Sequence, residues 1–582
     1  MRYRNFLRQA GLSLVLALFF ATAVLAQAPA SPPPASPKDE AVKQMRALRN
    51  DPPKYLEAII SFLTTFPDSN EAESGAYYLR DIVKRAGNDP ASTRTFVARF
   101  VEGTKTLPDY MRVRFYAQCI TIYFTNGLAA EASDLALKTI PLLDEKAYVE
   151  WERQKYVRYD LEVKKRNPAG KGREFVAAEH AERYQSFAAS VYASLGNAFL
   201  KQEKLDDASK AFRESYKIKP ETDAALGIAD IAERQGKINE AFEFMTFAML
   251  SGRLKPEKIT RYNALYDKVK KNKNETVEAY LDKLYRSRDR NPLKPAKYQP
   301  VAGRTNRVAL AELFTGAGCI PCIPVDYSFD TLLKEYPRQD VALLVYHMHA
   351  PNNDPLTNHS TESRNKYYDV NSAPTIILDG QKFQNEVDPR TVDLAVTRAK
   401  VVYDALKAKL NEELGKTALA KLDLKATRTG SIIKATVNAS QVAQELSDVT
   451  LQIALVEEEV SYSGENGLRF HPMVLRNFAR RTKEQPFGFA IDTSKLNTIE
   501  YAFDLDKITE ENLRYYDDYP VERRQELSAR LDKETLDSFN FSMREKKNVM
   551  DREKLVVVAF LQDNKTKQIL QAVFEKVNSP AP

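Results

Sequence analysis

A multidomain chain is predicted, with an α-helical solenoid of repeats, then an α/β unit, then an all-β sandwich carrying a helical insertion. Three changes of pattern predict it. From about Ala41 to Tyr285 apolar residues recur at helical spacing and β-branched runs are few. Between Arg307 and Leu414 short continuous apolar runs alternate with helical segments, the order expected of a sheet covered by helices. From Ala418 onward apolar and polar residues alternate about turns at Thr429-Gly430 and Asp563-Asn564, as antiparallel strands require.

The N-terminus and the bulk composition bear on the compartment. Arg2, Arg4 and Arg8 precede the apolar stretch "AGLSLVLALFFATAVLA", which is short for a membrane span, and Val24-Leu25-Ala26 offers small residues to a signal peptidase. Residues 1–26 read as a secretory signal peptide, with an uncleaved anchor as the alternative. No cysteine stands at the cleavage site for a lipid anchor. No later run is apolar enough to span a bilayer, so a periplasmic or secreted protein is expected. Loss of the three arginines, with no acid, takes the formal net charge from +7 to +4. The basic clusters Lys268–Asn274 and Arg286–Lys297 lack interleaved aromatics, which points to a solvated surface and no nucleic-acid partner. Residues 27–40, "QAPASPPPASPKDE", read as a Pro/Ala/Ser-rich disordered tether.

Residues 41–285 hold the helical repeats. In "VYASLGNAFLKQEKLDDASKAFRESYKIKP" the small residues Gly196 and Ala208 let two antiparallel helices approach, while Phe199 and Phe212 fill the layer between them. With Tyr192, Leu195 and Pro220 these positions resemble a tetratricopeptide repeat (TPR). A second unit follows 33 residues later, with Gly236 at its turn and Ala241 and Ala248 on its second helix. A weaker echo runs from Asn126 to Leu143. A single repeat cannot bury its own apolar face, so at least about three stacked units are expected. Such a stack offers a concave surface to a protein or peptide, or serves as a spacer. Cys119 lies in an apolar helical stretch and is expected to be a buried, inert thiol.

Residues 286–306, rich in Pro, Gly and charge, read as a linker into a unit spanning 307–414. Arg307–Phe314 and Asp340–His349 are strand candidates. Phe329, Leu332, Leu333 and Tyr336 recur at helical spacing between them. Pro374–Glu386 reads as two strands about an Asp379-Gly380 turn, and a helix from roughly Pro389 to Leu414 closes the unit.

Two of the three cysteines sit in "FTGAGCIPCIPVD". A thiol at the start of a helix gains from unpaired backbone N–H groups and the helix dipole, which favour its thiolate. Cys319 is therefore the expected nucleophile, and Cys322, one turn on, the resolving thiol. Pro321 suits the first turn. Two alternatives stay open. One is a metal site of two cysteines with His347 and His349, which strand alternation would place on one face. The other is a static staple, which closes so short a ring that it adds little stability.

The βαβ pattern, the Cys-Ile-Pro-Cys motif and "SAPTIILDG" before the hairpin together resemble the thioredoxin fold over about Arg307–Leu414. The resemblance implies a redox-active Cys319–Cys322 disulfide with no other cofactor and no metal. It also implies a cis-proline at Pro374 facing the dithiol, with Ala373 and Thr375 pairing to substrate backbone. Two positions depart from that family: Gly318 stands where a Trp is usual, and Leu313 where a buried carboxylate often assists proton transfer. Glu312 is one residue off and is expected to face the other way. His347 and His349, at the end of a central parallel strand, are candidates for tuning or substrate contact. The following loop, "APNNDPLTNHSTES", is a candidate rim.

Residues 418–580 form the expected β-sandwich, interrupted by a charged helical insertion at about Lys507–Lys547. Ala454–Phe478, with its one histidine, His471, reads as a strand and loop of that sandwich. Joined to the thioredoxin-like unit, this stretch looks like a group of exported bacterial thioredoxin-like proteins. The resemblance implies an exported thiol–disulfide oxidoreductase acting on protein disulfides, with the repeats recruiting a protein partner. In the reducing direction such an enzyme needs a membrane electron donor. A different class stays in view: a scaffold or chaperone-like binding protein whose α/β unit is a docking platform.

Overall fold

The computed structural model describes residues 36–166, 175–270, 274–300, 303–383, 395–480, 488–537, 539–543 and 549–577. The expected signal peptide and most of the tether lie outside these residues. The chain divides into two compact units, Met1–Thr106 and Leu107–Pro582, so the division falls within the stretch expected to be one solenoid.

Among its described residues the first unit holds four α-helices, Pro37–Ala47, Pro52–Thr65, Gly75–Arg85 and Pro90–Gly103. Three begin with proline, whose missing N–H needs no partner there. Ser36 and Asp39 form a reciprocal capping box, so Pro37–Glu40, expected in the tether, are helical. Ile59, Leu63, Leu79, Ile82, Val97 and Phe100 are fully buried.

The second unit opens with nine α-helices, from Asp109–Thr125 to Val277–Ser287, which makes thirteen in the helical region of the described residues. The helices Ala177–Lys201 and Leu205–Ile218 pack on each other and on Thr222–Arg234. Phe212 is fully buried, and a Cβ on Gly196 or Gly227 would stand within 2.8 Å or 2.6 Å of its ring. The glycines thus make the slot that the ring fills. Cys119 is buried and unpaired, and burial pushes its thiol far up.

A mixed-sheet region follows. Its strands are β1 Ala309–Thr315, β2 Val341–His347, β3 Thr375–Leu378, β4 Gln381–Lys382, β5 Lys421–Thr429 and β6 Ile432–Ser440. They continue with β7 Val449–Ser461, β8 Phe470–Phe478, β9 Phe489–Ala490, β10 Asn497–Asp504, β11 Leu555–Asp563 and β12 Ile569–Lys576. One nine-stranded sheet runs β12-β11-β7-β8-β2-β1-β3-β4, with β9 on β7; a three-stranded sheet runs β10-β6-β5. β1 and β2 are parallel, and β3 is antiparallel to β1. β3 and β4 turn at Asp379-Gly380, both at positive φ, as the hairpin signal required.

β8 lies parallel to β2 through Val345 and Val474. Residues 307–414 and 418–580, expected as successive units, therefore contribute strands to one sheet. β11 is buried at every position. Val556, Val558 and Phe560 join the core that also holds β1 and β2, while Val557, Ala559 and Leu561 join a second core with β5, β6 and β10. The insertion is the helix Leu505–Ser528 followed by Lys533–Asp537. Among the described residues no helix is long and apolar enough to cross a membrane.

Candidate functional site

Alternation along β1 and β2 sorts their side chains onto two faces. Leu313, Thr315, Val345 and His347 line a cavity of about 310 Å³, together with Asp326 and Phe329 of the helix Ile323–Glu335 and His471 of β8. Glu312 and Tyr346 face the other side, toward the helix His359–Tyr368.

Cys319 and Cys322 form a disulfide with sulfurs 2.04 Å apart. The pair directly follows β1. Cys319 precedes a 3-10 turn, Ile320–Cys322, and the α-helix proper starts at Ile323, one turn later than the sequence spacing suggested. Cys319 is 3% exposed and Cys322 fully buried, whereas Ile320 between them is 54% exposed. The Ala373–Pro374 peptide is cis. Pro374 and Thr375 share a groove of about 600 Å³ with Pro321, Phe383 and Arg398. Half-buried Ala373 precedes it. The second cis peptide, Ala350–Pro351, lies in the loop expected to form the rim.

The two histidines go to different places, which corrects the expectation that both face one site. β2 ends at His347, and Met348 N–H donates to the Thr315 carbonyl (2.7 Å) before the chain turns away. His347 Nδ1 lies 2.9 Å from Asp354 Oδ2 and its Nε2 is buried without a hydrogen-bond partner. His349 instead meets the insertion helix, with Nε2 2.7 Å from Tyr515 Oη, while Nδ1 accepts from Asp354 N–H (3.0 Å). Burial lowers His349 to about 4, so it is neutral at pH 7. With the sulfurs bonded together and the histidines apart, the two-Cys, two-His metal arrangement does not assemble. Among the described residues no cluster of three or more His, Cys, Asp or Glu side chains is placed to hold a metal.

Glu312 is fully buried and accepts from Tyr346 Oη (2.7 Å), Arg364 Nε (2.9 Å) and Nη2 (3.1 Å), and Tyr368 Oη (2.8 Å). It faces away from the cavity, as alternation required. The carboxylate on the cavity side of the sheet is Asp326, which the sequence reading missed. It follows Cys322 by four residues and so lies on the same helix face, a spacing signal that was available. Among the described residues its one hydrogen bond comes from Thr315 Oγ1 (3.2 Å). Burial pushes the Asp326 carboxyl up to about 7, against the Thr315 hydroxyl and His347, which favour the anion.

Asp354 anchors the loop above. Burial opposes its ionisation, but His347 and the N–H groups of Ala317 (2.6 Å) and Leu356 (2.8 Å) outweigh that and hold it below the usual range. His471 lies edge-on to His347 with ring centroids 4.9 Å apart, and Nε2 3.0 Å from the Tyr462 carbonyl. Burial and the neighbouring His347 lower it to about 3. Its place in the cavity lining follows from β8 joining β2, which no local pattern signalled. A scan against protein-family models and a search of curated proteins return no match to this chain.

Proposed function

We propose that the chain is an exported thiol–disulfide oxidoreductase. In this reading residues 307–414 are a thioredoxin-like unit, β5–β12 complete a sandwich, the helices are TPR-type repeats that recruit a protein partner, and residues 1–26 direct export. The observation that carries it is the Cys319–Cys322 disulfide at the C-terminal end of parallel β1, with cis-Pro374 sharing a groove with Pro321. In the reducing direction the Cys319 thiolate attacks a substrate disulfide, and one substrate sulfur leaves and takes up a proton. Cys322 gives its proton to Asp326 and attacks Cys319 Sγ of the mixed disulfide. The Cys319–Cys322 bond re-forms and the second substrate sulfur leaves; the substrate gains two electrons that the dithiol loses. A group with affinity near neutrality is suited to that proton transfer.

Cys322→Ala tests this directly, since it leaves the mixed disulfide unresolved. Exported protein carrying it should accumulate adducts that dissociate on reduction, and their absence would reject the enzyme. A second reading, a binding scaffold with a docking platform, is favoured by the burial of Cys319. Partner capture unchanged by Cys319→Ser would support that one.

A further inference from the structure

Between β7 and β8 the chain makes a tight turn whose residues Gly464–Gly467 lie on the backbone of the dithiol turn. Asn466 N–H donates to the Ala317 carbonyl (3.0 Å), and its side-chain amide reaches the carbonyls of Gly316 (3.3 Å) and Cys319 (3.4 Å). The approach is so close that a Cβ on Gly464 would stand 2.5 Å from the Ala317 carbonyl oxygen. The strap is internally braced, because Gly464 N–H donates to Leu468 O (2.8 Å) and Asn466 Oδ1 accepts from Leu468 N–H (3.0 Å). Beneath it Ala317, Leu356, Val460, Tyr462 and Val474 form a small buried apolar cluster.

The outer side of the same strap is held by the helical region. Arg253 N–H donates to Gly464 O (3.1 Å), and Arg290 Nη1 bridges the carbonyls of Leu250 (2.6 Å) and Gly467 (3.0 Å). A Cβ on Gly252 would stand 2.9 Å from Glu465 O. The strap is thus held from two sides, against the dithiol turn and against the helical region, and Cys319 beneath it is 3% exposed.

We propose that the strap Gly464–Gly467 is the specificity element of the dithiol: clamped between the Gly316–Cys319 turn and the Ser251–Arg253 turn, it admits small or extended disulfides to Cys319 and excludes folded protein surfaces until it lifts. The helical region thereby gates the pair, because the outer clamp is its own backbone. The inference deepens the oxidoreductase reading and rests on it for its biological consequence; the accessibility it concerns is measured without turnover.

The test is alkylation of the reduced full-length chain, followed at the Cys319 peptide by mass spectrometry. Two reagents are compared, iodoacetamide and a maleimide carried on a long polyethylene glycol chain. Two variants loosen the strap from opposite sides: Asn466→Ala removes the amide contacts, and Gly252→Val pushes on Glu465 without touching the dithiol turn. Each is expected to raise the rate with the bulky reagent about fivefold, the equivalent of one hydrogen bond of about 1 kcal/mol, and the iodoacetamide rate by less than about twofold. Equal acceleration of both reagents, or no change in variants that melt as the wild type does, overturns the proposal. Failure of the oxidoreductase reading shows separately, as absent adducts with Cys322→Ala beside an intact difference between the two reagents.

Discussion

The two faces of β1 bury carboxylates in opposite ways. Glu312 receives four hydrogen bonds, two from a guanidinium and two from phenols, and is sealed from solvent. Asp326, across the sheet, has one hydroxyl donor and a cavity beside it. A carboxylate with four donors around it is held in place. A carboxyl with one partner and open space sits near neutral affinity and can exchange a proton. Burial alone does not separate structural from chemical acids; the degree of hydrogen-bond saturation does.

The largest effect should come from breaking the saturated side. Glu312→Ala leaves Arg364 buried without its counter-charge and is expected to cost about 3–5 kcal/mol in urea unfolding. Thiol exchange by the fraction that remains folded should be unchanged. A loss below about 1 kcal/mol would mean that the two faces are not energetically different.

Next is Asp326→Asn, with a sign set by linkage. The folded-state pKa of Asp326 is raised to about 7, so its favourable contribution is full below the unfolded value near 3.8 and is lost as pH rises toward 7. The amide variant should therefore be more stable than wild type at pH 8, by about 2 kcal/mol, and no more stable at pH 3. That estimate stays below the full linkage value because the carboxyl is partly accessible from the cavity. Under the proposed function the variant should also lose the inflection near pH 7 in the rate of mixed-disulfide resolution. An inflection that persists would remove Asp326 from the proton transfer.

Thr315→Val sharpens the comparison further by deleting the one donor to Asp326. Its carboxyl should then titrate higher, read from the pH dependence of the unfolding midpoint. The smallest effect belongs to Arg286, which pairs with Glu459 (2.7 Å) and lies over the Phe470 ring at the edge of the cavity. It is half exposed, so Arg286→Ala should change stability by less than about 1 kcal/mol in thermal melts.

Much of the local architecture was legible. The apolar runs of β1 and β2, the Asp379-Gly380 hairpin and the packing of Gly196 on Phe212 are short-range signals, carried by alternation, turn chemistry and side-chain volume. The spacing of the cysteine pair was legible for the same reason, whereas Pro374 was singled out only through the resemblance to the thioredoxin fold. Asp326 was missed because the thioredoxin pattern puts its acid at the strand position of Leu313, although the four-residue spacing from Cys322 was present. His349 was misplaced because strand alternation was extended two residues past the point where β2 ends. His471 had no local signal at all.

The sequence by itself determined the order of helical and strand elements and the cysteine pair at the end of an apolar strand, because periodicity, turns and spacing are properties of neighbouring residues. Only the tertiary structure decided that β8 joins β2 and that the Gly464–Gly467 strap rests on the Gly316–Cys319 turn. Those depend on contacts between residues more than a hundred positions apart, where packing and hydrogen-bond saturation, not local pattern, select the partner.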